Sequence, residues 1–433
     1  GAYSVKVVVS NPGFRQALVT EVIERLVPDG DEPHLIRAAA VAGEILAQEF
    51  RGEDDAIFST VSGEKVFLHV LEFGFKSLRR ADLERVVGSE LEGVLPIDLD
   101  EMVYAFEQIP RLPEAAVVLA SPGDDEVTLV SEVQKAPVPL GLVAAPAAGM
   151  RVLTAATQRV RAEEFLQALR ANGVEPRGLL AAPAPYARLA DKITYSEQLI
   201  LGIIDIGHMR SDVCLSTGGK PIYARSIARG GHHLTRLLSK TWNLDYRRAS
   251  EAKHSDGFVV SQQYPAPSEG AARISAVLEK ELMPLVREIR RTLAACRAKT
   301  GFSADKLILV GGGSRLRGLA AYLGENLQMN VELLDQETSV RLLGEAASMA
   351  GLDTCALALG AALDGSSAKP SFDLRQGDLA FKTDLSFLRT KIPAIAISLV
   401  AIMAFGVVSA MTGVSKLRSA EETLDRRIAL ESS

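Results

Sequence analysis

Between Lys391 and Lys416 the chain passes 24 residues (392 to 415), "IPAIAISLVAIMAFGVVSAMTGVS", with no charged side chain. As a helix at about 1.5 Å per residue this run is roughly 36 Å long, against about 30 Å for the hydrocarbon core of a bilayer. A buried core helix is the alternative. No other segment that reads as a helix is apolar all round, however, and Arg389, Lys391, Lys416 and Arg418 bracket this one closely. The pattern predicts one membrane span over 392–415. Basic residues are nearly balanced on its two sides, so orientation rests on other signals. Cys214, Cys296 and Cys355 are odd in number and far apart, the usage of a reducing compartment. The first residues carry no charged-then-apolar leader pattern. Both observations predict a cytoplasmic body ahead of the span. After it, "KLRSAEETLDRRIAL" keeps a helical rhythm through Leu417, Leu424 and Ile428, broken at Glu421. This is the expected opening of a paired helix that continues beyond residue 433.

The chain is too long for one core: 433 residues predict two or more lobes. With 47% hydrophobic and 24% charged residues the composition is globular, and a net charge of −6 gives no basic footprint for nucleic acid. The histidines form no HExxH pair, and the adjacent His232 and His233 point different ways on a helix. Strands and helices alternate along the chain. "AYSVKVVVS", "EKVFLHVLEF", "VYAFEQI", "AAVVLASP" and "EVTLVSEV" read as strands; "RRADLERVVGSELEGVLP" and "RAEEFLQALRANGVEP" read as helices closed by Pro96 and Gly173. From 198 onward, "QLILGIIDIG", "SDVCLST" and "PIYARSIA" are three strands, followed by the helices "HHLTRLLSKTW" and "AVLEKELMPLVREIRRTLAACRAK". The strand "KLILVGG" and a helix from "SRLRGLAAYLGENL" come next, and residues 364–384 read as a polar linker to the span.

Four short pieces carry candidate chemistry. Asp205 ends a buried strand and Gly207 sits in the turn behind it, with Asp212 closing the turn. A glycine there lets backbone N–H groups face a phosphate, and a strand-end carboxylate can hold Mg²⁺ through water. A polar hairpin tip explains the same residues. Gly311, Gly312 and Gly313 join a buried strand to a helix, which permits close approach of a phosphorylated or flat ligand, or simply tight packing. "ARGGHHLT" is another glycine pair before a helix. In "YRRASEAKH", Glu251 and Lys253 are placed to reach a sugar hydroxyl or to stay solvated.

The order of these pieces resembles the actin/Hsp70/sugar-kinase superfamily, with "GAYSVK" as first phosphate motif, "DIGHMRSD" as second and "GGGSRLRGL" as adenosine motif. Within it the chain is most similar to type II secretion protein L and next to type IV pilus assembly protein PilM. "VGSELEGVLPIDLDEMVYAFEQI" resembles their small extra subdomain, "EIRRTL" and "ALALGAAL" (356–363) match the PilM pattern, and "FDLRQGDLAF" before a span resembles protein L. The implied fold is α/β: a two-lobed actin-like (ribonuclease H-like) fold with a small inserted subdomain, followed by one transmembrane helix. Lobe I takes 1–200 with the insert at about 64–135, and lobe II takes 201–363. A cytoplasmic linker covers 364–391, the span 392–415, and the start of a periplasmic helix 416–433.

The resemblance implies ATP and Mg²⁺ as ligands. Phosphate contacts fall on Gly1, Ser4, Lys6 and Gly207, Mg²⁺ on Asp205, and nucleoside contacts on Gly311, Gly312, Gly313, Arg317 and Lys253. Several positions depart from the pattern. The acid two residues before the first motif's glycine is not in the sequence, which starts at Gly1. Tyr3 and His208 are bulky where small residues belong, and Ala-Glu-x-x-Lys appears as "ASEAK", with Ser250 at the Glu position. These departures imply weak, slow or lost hydrolysis. The expected role is a bitopic scaffold in a bacterial inner membrane, body cytoplasmic and C-terminus periplasmic, within the type II secretion platform. Its expected partners are the cytoplasmic secretion ATPase, other single-span and multi-span platform proteins, and a second chain paired through the helix after the span. The rivals are an ATP-binding pilus protein of PilM type, an active actin-like ATPase, and a polymerising membrane anchor.

Overall fold

Apolar side chains repeat every second residue in strands and every three to four in helices, and both rhythms recur along this chain. The computed structural model describes residues 1–12, 17–49, 55–111, 149–194, 199–334, 336–343, 351–367, 369–382 and 386–431. The chain divides into two compact units, Gly1–Ala380 and Phe381–Ser433.

The first unit opens with the antiparallel pair β1 (Ser4–Pro12) and β2 (Ala17–Leu26). In β2 the polar Thr20, Glu21, Glu24 and Arg25 hide the strand from a search for apolar runs. Helix α1 (His34–Glu49) lays Ala39 and Leu46 into a cluster with Leu169 and Val174. Strands β3 (Phe58–Val61) and β4 (Phe67–Phe73) are joined by a 3-10 turn at Gly63–Lys65. Helix α2 (Arg80–Val94) stops where Leu95 turns extended ahead of Pro96, the backbone region a residue before proline prefers.

Strands β5 (Met102–Gln108) and β6 (Met150–Gln158) complete a three-stranded antiparallel sheet in the order β4-β6-β5. Leu83, Val87 and Leu91 of α2 cover one face, while Leu153 and Ala155 on the other face join the main core. The sheet and α2 fall on the expected insert at about 64–135 except for the central strand β6, which lies beyond it. The runs "AAVVLASP" and "EVTLVSEV" lie outside the described residues. Helix α3 (Arg159–Arg170), strand β7 (Gly178–Ala181), parallel to β3, and helix α4 (Tyr186–Ile193) lead to the second lobe.

That lobe is built on β8 (Leu201–Ile206), with β9 (Ser211–Thr217) and β10 (Lys220–Ile227) antiparallel on one side. Helices α5 (Gly231–Trp242), α6 (Tyr246–Asp256) and α7 (Glu269–Thr300) then lead to β11 (Lys306–Val310), parallel to β8 on the other side. Helix α8 (Leu319–Leu327) and β12 (Val331–Leu333) close the sheet in the order β10-β9-β8-β11-β12. Helices α9 (Gln336–Leu343) and α10 (Leu352–Gly365) follow. Leu278, Leu282, Leu285 and Ile289 of α7 share a buried cluster with Ile204 and Ile206. Leu201 and Ile203 face the other way, toward Tyr186 and Leu189 of α4 and Leu359 of α10. Strand alternation therefore sends Asp205 to the α4–α10 side. These two helices cross closely because Gly360 has no side chain: a Cβ there would lie 2.5 Å from the Pro185 carbonyl oxygen.

Part of the expected polar linker is not a linker. Phe372 and Leu374 are 1% and 0% exposed. Their segment adds to the free edge of β7: Ala181 N–H donates to the Phe372 carbonyl at 3.1 Å, and Leu374 N–H to the Leu179 carbonyl at 2.7 Å. Asp373 accepts from Leu179 N–H at 2.9 Å. Buried Arg375 pairs with Glu175 at 2.5 Å and donates to the Leu379 carbonyl at 2.8 Å and to the Pro176 carbonyl. Composition disguised this docking, because its few apolar residues are spaced among charges whose partners lie far away in sequence.

The second unit is the helix α11 (Ser386–Glu431), 46 residues long. Among the described residues, Val400–Glu421 is the segment long and apolar enough to cross a membrane, overlapping the expected 392–415. Its apolar side chains are open, with Ile402 and Phe405 70% and 77% exposed, a surface that calls for lipid rather than water.

Candidate functional site

Parallel pairing of β8 and β11 in register, with Val310 beside Asp205, brings the carboxyl ends of both strands together, the usual place for a site in an α/β sheet. The turn after β8 and the glycine bend after β11 consequently touch. Gly311 adopts φ +86°, and a Cβ on it would run into Asp205 Oδ1 and sit 2.6 Å from the Ile206 carbonyl. Gly313 is equally pressed against Ile206, whereas a Cβ at Gly312 would meet nothing within 4 Å. Glycine is required at 311 for backbone conformation and contact, at 313 for contact; Gly312 is the one that faces open space. The bend runs into a 3-10 turn (Gly312–Arg315), and α8 starts only at Leu319 behind Gly318. The expectation of a helix from Ser314 is corrected: Gly318, with φ +81°, delays it to Leu319.

Asp205 is not free. Its Oδ2 accepts from the Tyr186 hydroxyl at 2.6 Å. Burial pushes its carboxyl up from the ordinary range, against the lowering pull of Tyr186 and Lys6. Asp212, directly opposite in the β8–β9 ladder, accepts from Ser226 and is pushed up to about 6, mainly by burial. Asp353 holds the bend from the other side: its carbonyl accepts from Gly311 N–H at 2.7 Å, and its carboxylate takes Arg315 in a fork at 2.6 and 3.0 Å. Tyr186, Asp353 and Arg315 were missed by sequence reading, since no local motif marks them.

The Gly207 amide and two of the turn's carbonyls are taken by protein partners. Gly207 N–H donates to the Arg210 carbonyl at 2.9 Å, and the α5 N-terminus is closed by Gly231 N–H on the Gly207 carbonyl (2.9 Å) and His232 N–H on the His208 carbonyl (2.8 Å). Gly230 permits this contact: a Cβ there would lie 2.6 Å from both carbonyl oxygens. Lys253 reaches Thr235 Oγ1 at 3.0 Å and the Gly231 carbonyl at 3.4 Å. Burial pushes it down to about 8, and no carboxylate pairs with it among the described residues. Glu251 instead turns to the surface and pairs with Arg247 at 3.1 Å. Arg317 donates to the Ser255 and Gly257 carbonyls at 3.0 and 3.3 Å, tying the end of α6 to the bend.

On the lobe I side, Gly1 is exposed at the head of β1. Ser4 donates to Glu24 at 2.6 Å, and Lys6 pairs with Glu24 at 3.8 Å. Asp205, Gly207, Lys253 and Gly311–Gly313 are thus gathered at one sheet end, with Lys6 near enough for its charge to act on Asp205. Arg317 and Ser4 are committed to protein partners. A cavity of about 560 Å³ lies in lobe I between the end of β2 and α1, lined in part by Arg25, Asp29, Arg37 and Glu44.

Residues 139–365 match the family model of type IV pilus assembly protein PilM. The chain belongs to the PilM family. A solved PilM-PilN type IV pilus biogenesis complex superposes with a TM-score of 0.61 at 25% identity, covering 85% of this chain and 97% of that one. MreB 5 of Spiroplasma citri bound to AMPPNP gives a TM-score of 0.35 at 17% identity over 47% of this chain and 63% of its own. The ethanolamine utilization protein EutJ of Carboxydothermus hydrogenoformans gives 0.34 at 17% identity over 47% and 61%. No curated protein matches the chain. The PilM-family body has a mixed α/β fold shared with the solved PilM, followed by the apolar C-terminal helix.

Proposed function

We propose that this chain is a membrane-anchored scaffold whose PilM-family body recruits the cytoplasmic ATPase of a type II secretion platform. The carrying observation is continuity: the body leads through the docked 371–380 segment into a helix able to cross a membrane. The solved relative is a PilM-PilN complex; here body and apolar helix belong to one chain, which supports a protein L-like role over a separate pilus protein. The body lies in the cytoplasm and the helix beyond the span lies in the periplasm. Leu424 there is 63% exposed, available to pair with a second chain or another single-span platform protein. Multi-span platform proteins complete the assembly.

ATP is the ligand the family likeness suggests. Gly311 to Gly313, Lys253 and Arg317 would line its nucleoside, Gly1, Ser4, Lys6 and Gly207 its phosphates, with Mg²⁺ near Asp205. The fit is poor on the phosphate side, where Asp205 and the 207 turn already have protein partners. A carboxylate raised by burial is also a weak Mg²⁺ donor. The body therefore acts by holding partners, not by turnover. The family match itself favours a second reading, a pilus alignment protein that binds ATP.

The test is capture of the tagged full chain from detergent-solubilised membranes. Recovery of the hexameric secretion ATPase supports the proposal, recovery of pilus components supports the second reading, and recovery of soluble metabolic proteins alone refutes both. Phosphate release that is lost in Asp205→Asn would refute the non-catalytic role.

A further inference from the structure

The two turns that resemble phosphate motifs face each other across the lobes, and each carries a ring. Tyr3 and His208 lie with ring centroids 5.1 Å apart at 30°, inside the range of favourable ring contacts. We propose that Tyr3 and His208 form an interlobe bolt that occupies the space between the two phosphate-like turns, so that protein side chains hold the lobes together where polyphosphate would otherwise bridge them.

His208 is fixed from behind. His232 meets it edge-on at 5.4 Å, Tyr246 meets His232 at 5.3 Å, and the Tyr246 hydroxyl and His232 Nδ1 share a hydrogen bond of 2.9 Å. The His208 carbonyl is bound by His232 N–H as well. Burial, and then the charges of His232, Lys253 and His233, push His208 down to about 4. At neutral pH it is an uncharged ring that packs against Tyr3, not a cation that attracts phosphate. Tyr3, 51% exposed, is the half that can swing.

The same turn is held to lobe I at a second point. Arg210 Nη2 pairs with Glu64 Oε2 at 2.5 Å, and Glu64 sits in the Gly63–Lys65 turn. A Cβ on Gly63 would run into Ser226, so that turn abuts the β9–β10 ladder. Ring pair and ion pair hold the turn at two residues, His208 and Arg210. A polyphosphate must part the rings to reach the turn.

The inference goes beyond the scaffold proposal, and its outcome is separate: capture of partners and nucleotide affinity are different measurements. The full chain in lipid nanodiscs is titrated with a fluorescent ATP analogue and Mg²⁺. Variants are Tyr3→Ser, His208→Ser, both together, and Tyr3→Phe, which keeps the ring contact. Expected is binding at least about tenfold tighter for the double variant than for the parent chain. The single variants are non-additive, because both break one contact, and Tyr3→Phe behaves as the parent. Hydrogen exchange without nucleotide is expected to speed at 62–66 and 207–212 in the double variant while β11 keeps its protection, which also shows that the variant is folded. Equal binding by parent and double variant, binding by neither, or unchanged exchange at both turns overturns the proposal.

Discussion

Replacing Phe372 by Ala tests whether the segment after α10 is a docked element of its own. The ring is 1% exposed, and truncating a buried Phe costs roughly 3–5 kcal/mol. No backbone relief offsets this, because φ at 372 is +52° and alanine resists that region as phenylalanine does. At about 1.4 kcal/mol per factor of ten, the loss is roughly two to three and a half powers of ten in the opening equilibrium. Two backbone bonds report it, Leu374 N–H to Leu179 and Ala181 N–H to Phe372. Hydrogen exchange resolved to single amides should show both opening faster by about two powers of ten or more, up to the unprotected rate. Amides of β8 and β11, which carry none of the segment's hydrogen bonds, should keep their protection. Equal acceleration in β8 and β11 would show that the segment belongs to the global core. Unchanged exchange at Leu374 would show that the ring does not hold it.

Gly311→Ala places a Cβ against Asp205 in a left-handed backbone; a loss of order 1–3 kcal/mol in urea unfolding is expected, and an unaltered midpoint would mean the bend and the 205 turn do not touch. Lys253 has a folded pKa of about 8, below its ordinary value, so the folded state releases its proton first. Its presence destabilises most below pH 8, and the penalty lifts as pH rises from about 8 to 10.5. Relative to Lys253→Met, the parent chain should therefore gain up to a few kcal/mol between pH 7.5 and 10; parallel pH–stability curves would contradict the buried lysine. Phe405→Asp introduces a charge into the Val400–Glu421 segment at a cost of about 2.5–3.5 kcal/mol for insertion, so the chain should shift from the membrane to the soluble or aggregated fraction. Undiminished membrane recovery after carbonate washing would argue that another feature anchors it.

The residues that the sequence marks by a local signal are the ones the fold brings together. Asp205, Gly207 and the three glycines at 311 announce themselves by buried strands ending in small residues, and they do meet in space. Lys253 was found by its place in a short helix motif, while Glu251, two residues away, faces out because two residues on a helix turn it by about 200°. The groups that occupy the site's free valences were not legible. Tyr186 is 19 residues before Asp205 and lies on another helix; Asp353 and Arg315 are 38 apart.

The apolar run at 392–415 by itself determined that this chain contains a helix suited to lipid, because backbone and side chains there have no better solvent. The near-continuous apolar runs of β8 and β11 likewise marked two buried strands, while their parallel pairing was decided by the fold. What only the tertiary structure decided is which polar groups are already satisfied: the Asp205 carboxylate by Tyr186, the 207 turn by the α5 N-terminus, the 371–380 segment by the β7 edge. Hydrogen bonds between distant residues leave no periodic trace in a sequence, so vacancy or occupancy of a site is a property of the folded chain alone.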